Sequence, residues 1–273
     1  MEYDLDMETK TELNKHHKSS ISGFNFLYLC NGYAGICGLR ELYNNKSFSI
    51  NNLLVFTYGG KDNEEVINFC KKEQIKFSLD SINSDNAFQL IKHFRPDLLI
   101  SMHYRNIISK KVLKMSTKGG INLHPSILPK YRGCFSNSWA LINMEKEVGI
   151  TYHFIEENID TGNIILQKKY KINDEDTAHS LFFKSIELGV KYLVEAINLS
   201  LDVDFFGSEQ SGVSSYYKRN LPYNGIIDNA WTFEQKKAFV KALYFPPHKG
   251  AVLIKDGKKV EILSVDELVR ESI

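Results

Sequence analysis

Cysteine is scarce in this 273-residue sequence, and its spacing indicates no metal site. The four cysteines are Cys30, Cys37, Cys70 and Cys134, and no two of them form a C-x-x-C pair. The spacing therefore predicts neither a zinc centre nor a disulfide framework. Without disulfides, a reducing cytoplasm is the expected compartment.

An excess of one charge sign is also missing. Lys and Arg total 34 and Asp and Glu total 33, which leaves a formal net charge of +1. A general nucleic-acid or anionic-membrane binder needs a basic surplus, so this balance argues against both. No stretch reaches the roughly 20 apolar residues that span a bilayer. Residues 1–20 are polar and lack the apolar segment of a secretory signal, and we expect a mobile tail there.

Between residues 24 and 124, short apolar runs alternate with segments of helical periodicity. The pattern predicts strands at 24–30, 53–58, 75–79, 97–101 and 121–124, and helices at 35–44, 64–73, 86–94 and 107–115. Such alternation predicts a parallel α/β sheet with helices on both faces, whose ligands lie at the carboxyl ends of the strands. Further along, the pattern predicts a strand pair at 149–155 and 164–170, and helices at 177–201 and 232–243.

The most informative local feature is Asn122 and His124, two residues apart at the end of a predicted strand. Alternate residues of a strand share a face, so the carboxamide and the imidazole project together. Together they offer an oxyanion donor and a proton acceptor, which is what attack on a carbonyl requires. Spacing alone leaves the alternative open that the pair only fixes the following loop.

Asp160 follows 36 residues after His124, in an Asp-Thr-Gly sequence that favours a turn. Its carboxylate could orient the imidazole, hold a water molecule or pass a proton, or it could serve only the turn. A glycine-containing loop at residues 31–38 has the spacing G-x-x-G-x-x-G, which differs from the dinucleotide pattern and is a weak signal. Two basic and aromatic clusters, at 130–133 and 216–219, could bind a phosphate and stack on a ring, or could simply be solvated surface.

Three segments in the right order resemble the N10-formyltetrahydrofolate-dependent formyltransferase family. They are GINLHPSILPKYRG at 120–133, GIT at 149–151 with IDTGNII at 159–165, and SMHYR at 101–105. The resemblance covers about residues 24–200. It implies a Rossmann-like fold and the catalytic trio Asn122, His124 and Asp160, with N10-formyltetrahydrofolate as co-substrate and no metal.

The resemblance also implies a domain organisation and two binding regions. We expect a tail at 1–20, a formyltransferase domain at 21–206, and a small α+β C-terminal domain at 207–273. The folate should lie between the 104–107 segment and the 156–160 turn. The residues assigned to the folate are Met102, Tyr104, Arg105, Ile107, Glu157 and Asp160. The residues assigned to the acceptor substrate are Asn31, Tyr33, Lys130, Arg132, Tyr217 and Lys218.

The C-terminal segments SYYKRNLP (215–222) and ALYFPPHKGA (242–251) resemble the bacterial sugar N-formyltransferases. That resemblance implies a nucleotide-linked amino sugar as acceptor, with dTDP-4-amino-4,6-dideoxyglucose as the preferred candidate, a role in O-antigen synthesis, and a homodimer. Alternatives are a methionyl-tRNA formyltransferase-like enzyme, an enzyme acting on a 3-amino sugar nucleotide, a deformylase and a non-catalytic nucleotide-sugar binder. A dinucleotide-dependent dehydrogenase is the weakest alternative.

Overall fold

A computed structural model of the protein describes Ile21 and residues 23–272, so the predicted tail at 1–20 lies outside the described residues. A seven-stranded sheet, in the order β3-β2-β1-β4-β5-β7-β8, forms the centre. The strands are β1 (Phe26–Cys30), β2 (Leu53–Phe56), β3 (Lys76–Ser78), β4 (Leu98–Met102), β5 (Gly120–His124), β6 (Arg132–Gly133), β7 (Glu147–Phe154), β8 (Ile164–Lys171), β9 (Tyr216–Tyr217), β10 (Ala251–Lys255) and β11 (Lys258–Ile262). The helices are α1 (Gly32–Asn44), α2 (Glu64–Lys72), α3 (Asp85–Phe94), α4 (Lys110–Leu113), α5 (Ser136–Ile142), α6 (Ala178–Leu201), α7 (Phe233–Leu243) and α8 (Val265–Ser272).

The sheet is mostly parallel, as the alternating pattern predicts, but one edge is not. β1 to β5 pair in parallel, whereas β7 pairs antiparallel with both β5 and β8. The parallel sheet and the strand pair predicted at 149–155 and 164–170 thus form one sheet. β7 and β8 form a hairpin, whose two strands must run in opposite directions, and that hairpin adds to the edge of the parallel sheet.

Helices cover both faces of the sheet, which confirms the predicted α/β architecture. One core contains Leu39 of α1, Val66 of α2 and Leu193 of α6. The core on the opposite face contains Ile91 of α3 and Val112 of α4. β1 and β4 are buried along their whole length between these layers, which explains why their sequences are continuous apolar runs.

Two helix boundaries differ from the sequence prediction. α1 begins at Gly32 rather than at residue 35, directly after β1. The helix expected over 107–115 is reduced to Lys110–Leu113, because the Ser109 side chain accepts from the Val112 amide and caps the helix there. Ile107 therefore lies in a loop, with 73% of its surface exposed.

The C-terminal part has a small core of its own, built from α7, α8, β10 and β11 around Phe239 and Leu253. The segment that precedes this core pairs with the central domain instead. Ser208 bridges to Ile164, and β9 pairs in parallel with β6. The predicted domain boundary at residue 206 stays a prediction. Within the residues described, no helix combines the length and apolarity needed to cross a membrane.

Candidate active site

Asn122 and His124 lie at the carboxyl end of β5, where the strand leaves the core of the sheet. β7 runs beside β5 and places His153 opposite Asn122 and Thr151 opposite His124. His124 and His153 are both buried, with 4% and 2% of their surface exposed. The strand pair therefore brings two buried imidazoles together with the half-buried amide of Asn122.

Asp160 reaches this group from the loop between β7 and β8. Its Oδ2 lies 3.4 Å from His124 Nδ1, and its Oδ1 lies 3.4 Å from His153 Nε2. The backbone at Asp160 has a φ of 55°, which aspartate tolerates better than most residues. The Gly133 amide donates to Oδ2 at 2.8 Å, and Gln210 Nε2 donates to the Asp160 carbonyl at 2.9 Å. The Asp160 side chain and its backbone carbonyl are thus each held by another segment.

The hydrogen bonds of His124 fix its tautomer. Its Nε2 lies 2.8 Å from the Tyr131 carbonyl oxygen, which can only accept, so Nε2 carries the proton. In the neutral ring the lone pair is therefore on Nδ1, the atom that faces Asp160. A proton taken up by His124 would lie directly beside the carboxylate.

The same reasoning fixes His153 and, through it, Asn122. His153 Nδ1 donates to the Phe154 carbonyl at 2.8 Å, which leaves the lone pair of the neutral ring on Nε2. Asn122 Nδ2 lies 3.2 Å from this Nε2 and donates to it. The contact fixes the Asn122 amide in one orientation, so its nitrogen and not its oxygen faces His153.

Electrostatics favour a neutral imidazole beside an ionised carboxylate. Burial lowers the pKa of His124, and this effect outweighs the Asp160 carboxylate, which raises it. Burial disfavours the Asp160 charge, but attraction to the His124 and His153 rings and the hydrogen bond from the Gly133 amide together hold the pKa of that carboxyl well below its usual range. At neutral pH the site therefore offers a proton acceptor, an amide donor and a fixed negative charge.

The residues assigned to the folate lie at the end of β4, in the loop that follows it, and in the turn between β7 and β8. Met102 is fully buried and contacts Tyr152, so only its backbone is available. Tyr104 stacks on Tyr58 with ring centroids 4.9 Å apart. Ile107 is exposed, as is Ile159 on the opposite turn, with 43% of its surface accessible.

An ion pair joins the start of α4 to the 156–160 turn. Lys110 Nζ lies 3.2 Å from Glu157 Oε2, so the helix that follows the loop after β4 is a neighbour of that turn. Ile107, just before α4, and Ile159, in the turn, both contribute exposed apolar surface, and the assignment of the folate to these segments stays a prediction.

On the acceptor side, Asn31 and Tyr33 follow β1. The Asn31 amide is buried and lies 3.1 Å from both Asn63 Nδ2 and Arg105 Nε. Arg105 also pairs with Asp62 at 3.3 Å. Tyr33 is 40% exposed at the start of α1, beside this polar group.

The remaining residues assigned to the acceptor largely have protein partners already. Lys130 pairs with Glu145 at 3.0 Å, and Arg132 donates to Gln210 from Nε at 3.1 Å and from Nη2 at 2.6 Å. The Tyr217 ring stacks on Trp139 with centroids 4.2 Å apart. Lys218 is exposed. The Lys130, Arg132 and Tyr217 side chains are therefore engaged within the protein.

Two residues of this site are missing from the sequence prediction. His153 lies within an apolar run and belongs to no recognisable motif. Only the antiparallel register between β5 and β7 places it opposite Asn122. Gln210 lies 50 residues after Asp160 and carried no motif signal. Among the residues that the structure describes, no group of three His, Cys, Asp or Glu side chains could hold a metal ion.

The sequence of this protein is similar to those of known formyltransferases. A profile of the formyl transferase family matches residues 56–197. The sequence is 44% identical over 192 residues to GDP-perosamine N-formyltransferase of Brucella melitensis, covering 70% of this chain and 74% of that protein. It is 34% identical over 201 residues to methionyl-tRNA formyltransferase of Thermodesulfovibrio yellowstonii, covering 73% of this chain and 62% of that protein.

Solved structures share the fold at lower identity. A 4-N formyltransferase from Francisella tularensis superposes with a TM-score of 0.71 at 20% identity, covering 88% of this chain and 96% of that one. WlaRD, a sugar 3N-formyl transferase crystallised in the presence of dTDP and 5-N-formyl-THF, gives 0.70 at 22% identity, covering 87% and 84%. At these identities the two structures establish the fold alone.

Proposed function

Because this chain belongs to the formyl transferase family, we propose that it transfers a formyl group from N10-formyltetrahydrofolate to the amine of a nucleotide-linked amino sugar. The observation that carries the proposal is that Asn122, buried His124 and Asp160 lie together, with His124 Nδ1 3.4 Å from the carboxylate. The acceptor class is supported by the 44% identity to a GDP-perosamine N-formyltransferase. Cytoplasmic location and a homodimer remain predictions.

The folate would supply an activated formyl group, and the residues of this chain would perform three tasks. His124 Nδ1 takes the proton that the sugar amine sheds as its nitrogen bonds to the formyl carbon. Asn122 donates to the formyl oxygen as negative charge develops there. Asp160 stabilises the protonated His124, and the proton then leaves with the folate nitrogen. The products are a formamide on the sugar and tetrahydrofolate.

The acceptor is tested with a panel of amino sugars linked to GDP, dTDP and UDP, with the amine at C3 or C4. We expect a mass increase of one formyl group for at least one member, with GDP-perosamine and dTDP-4-amino-4,6-dideoxyglucose as the leading candidates. Formate release without any amine would indicate a deformylase instead. Formylation of methionyl-tRNA, with binding that weakens steeply as salt rises, would favour the tRNA alternative.

Asn122→Ala is expected to lower kcat by about 10²-fold, the usual loss for one oxyanion donor. The acceptor KM should change little, because the amide acts on charge that develops during reaction. Steady-state kinetics with the accepted sugar nucleotide measures both constants. Asn86→Ala, at an exposed position of α3, is the matched control and should behave as wild type. If kcat fell equally in the two variants, Asn122 would have no specific role in the reaction.

Lys218→Ala is expected to weaken sugar-nucleotide binding by about 3- to 10-fold, since an exposed lysine contributes a modest, screened attraction to a phosphate. Titration calorimetry measures the effect, with Lys258→Ala on β11 as control. An unchanged dissociation constant would show that Lys218 is a solvent-exposed side chain that does not bind the sugar nucleotide.

A further inference from the structure

The Gln210 side chain bonds the turn that carries Asp160 to the reaction centre. Its nitrogen Nε2 donates to the Asp160 carbonyl at 2.9 Å and to the Gly162 carbonyl at 2.8 Å. Its oxygen Oε1 accepts from Arg132, at 3.1 Å from Nε and 2.6 Å from Nη2. Because a guanidinium group can only donate, this contact fixes the orientation of the amide, and the nitrogen must face the turn.

The turn needs such support because its backbone is strained at Asp160. This residue has a φ of 55°, in the left-handed region, where a residue with a side chain persists only if its surroundings hold it. Gln210 bonds the carbonyl of Asp160 itself and that of Gly162, two positions further on, so it fixes two of the peptide units that follow the strained residue. The left-handed conformation is therefore held from outside the turn.

Two further contacts join the segments that surround the turn. Ser208 and Ile164 exchange backbone hydrogen bonds of 2.7 and 2.8 Å, which bring the residues just before Gln210 alongside the end of the turn. The Gly133 amide, one residue after the arginine that binds Gln210, donates to Asp160 Oδ2 at 2.8 Å. The carbonyl and the carboxylate of Asp160 are thus held by two segments that are themselves joined.

The position of the Asp160 carboxylate leaves little tolerance for movement. Its two oxygens each lie 3.4 Å from an imidazole nitrogen, one of His124 and one of His153. A displacement of the turn would lengthen these contacts and weaken the attraction to a protonated His124, because attraction between charges falls with distance. Misplacement of a reacting geometry by about 1 Å can lower a rate by about 10²-fold.

We propose that Gln210 is a positioning residue for formyl transfer, which keeps the Asp160 carboxylate against His124. This inference rests on the proposed function. Gln210 acts on the reaction only through Asp160. Its loss should therefore lower the rate of transfer and leave the binding of the acceptor unchanged.

Gln210→Ala and Gln210→Glu should each lower kcat by about 10- to 100-fold, with no change in the acceptor dissociation constant. An ionised glutamate retains an oxygen that accepts from Arg132, but it cannot donate to the two carbonyls of the turn. Steady-state kinetics gives kcat, and titration calorimetry with the accepted sugar nucleotide gives the affinity. If Gln210→Glu kept the kcat of wild type, the contact with Arg132 alone would suffice, and the inference would be wrong.

The Asp160→Asn background tests the route by which Gln210 acts. When the carboxylate is absent, adding Gln210→Ala should lower kcat by less than about 2-fold, because both substitutions remove the same effect. A purely structural defect would lower kcat by the same factor with and without the carboxylate. That result would overturn the inference.

Asn25→Ala is the matched control. Asn25 is also half-buried, and its Nδ2 donates to two backbone carbonyls, those of Phe94 and Arg95, at 3.2 Å each. It precedes β1 and so lies at the opposite end of the parallel strands from His124. If wild type transfers a formyl group and the Gln210 variants match this control, Gln210 has no positioning role and the proposed function stands. If wild type formylates no member of the sugar panel, the proposed function fails, and the inference fails with it.

Discussion

His124→Asn is expected to lower kcat by about 10³- to 10⁴-fold while the sugar nucleotide still binds. Asparagine cannot accept a proton near neutral pH, and the amine would have to lose its proton to water in a buried site. Single-turnover measurement of formyl transfer gives the rate of the chemical step, and calorimetry gives the affinity. His93→Asn, at an exposed position of α3, is the control.

The pH dependence of wild type provides a second readout for His124. Burial lowers the pKa of His124 below its ordinary value of 6.5, so the neutral, base-competent form persists into mildly acidic solution. We expect kcat to fall only below about pH 6.5. This acid limb should disappear in His124→Asn and in His124→Gln. A limb that survives in both variants would belong to another group and would refute the assignment of the base.

Asp160→Asn is expected to lower kcat by roughly 10³-fold with little effect on acceptor affinity. The substitution keeps the side-chain size, and asparagine tolerates the φ of 55° at this position. It also retains an oxygen that can accept from the Gly133 amide. What it removes is the negative charge that stabilises protonated His124. A loss confined to acceptor affinity would contradict this role.

The direction in which the acid limb of kcat shifts in Asp160→Asn distinguishes loss of the negative charge from a structural defect. The Asp160 carboxylate raises the pKa of His124, so its removal should lower that pKa further. The acid limb of kcat should then move to lower pH in Asp160→Asn, although the plateau is lower. Asp174→Asn, in the loop before α6, should leave both the plateau and the limb unchanged. A purely structural defect would lower the plateau without moving the limb.

The sequence predicted the main architecture because β1 and β4 are buried on both faces and read as continuous apolar runs. It also predicted that Asn122 and His124 share a face, since strand alternation alone requires it. The contact between Asp160 and His124 could be predicted only from the family resemblance. The spacing of the two residues along the chain does not predict this contact, because the contact depends on the conformation of the loop between β7 and β8.

Other features of the site depend on tertiary pairing that no local pattern reveals. His153 matters because β7 runs antiparallel to β5, and periodicity does not specify strand direction. The proton position on His124 follows from a backbone carbonyl, that of Tyr131, which has no sequence signature. Arg105 and Arg219 are 114 residues apart, and only the folded chain brings them together.

Gln210 has a consequence for engineering this protein. Its side-chain nitrogen donates to the carbonyls of Asp160 and Gly162, and its oxygen accepts from Arg132. A few residues later, β9 pairs with β6 and so also joins this segment to the central domain. A chimaera that exchanges C-terminal regions to redirect acceptor choice should therefore be spliced after Tyr217. A splice at residue 206 would replace Gln210 and so remove the hydrogen bonds that hold the Asp160 and Gly162 carbonyls.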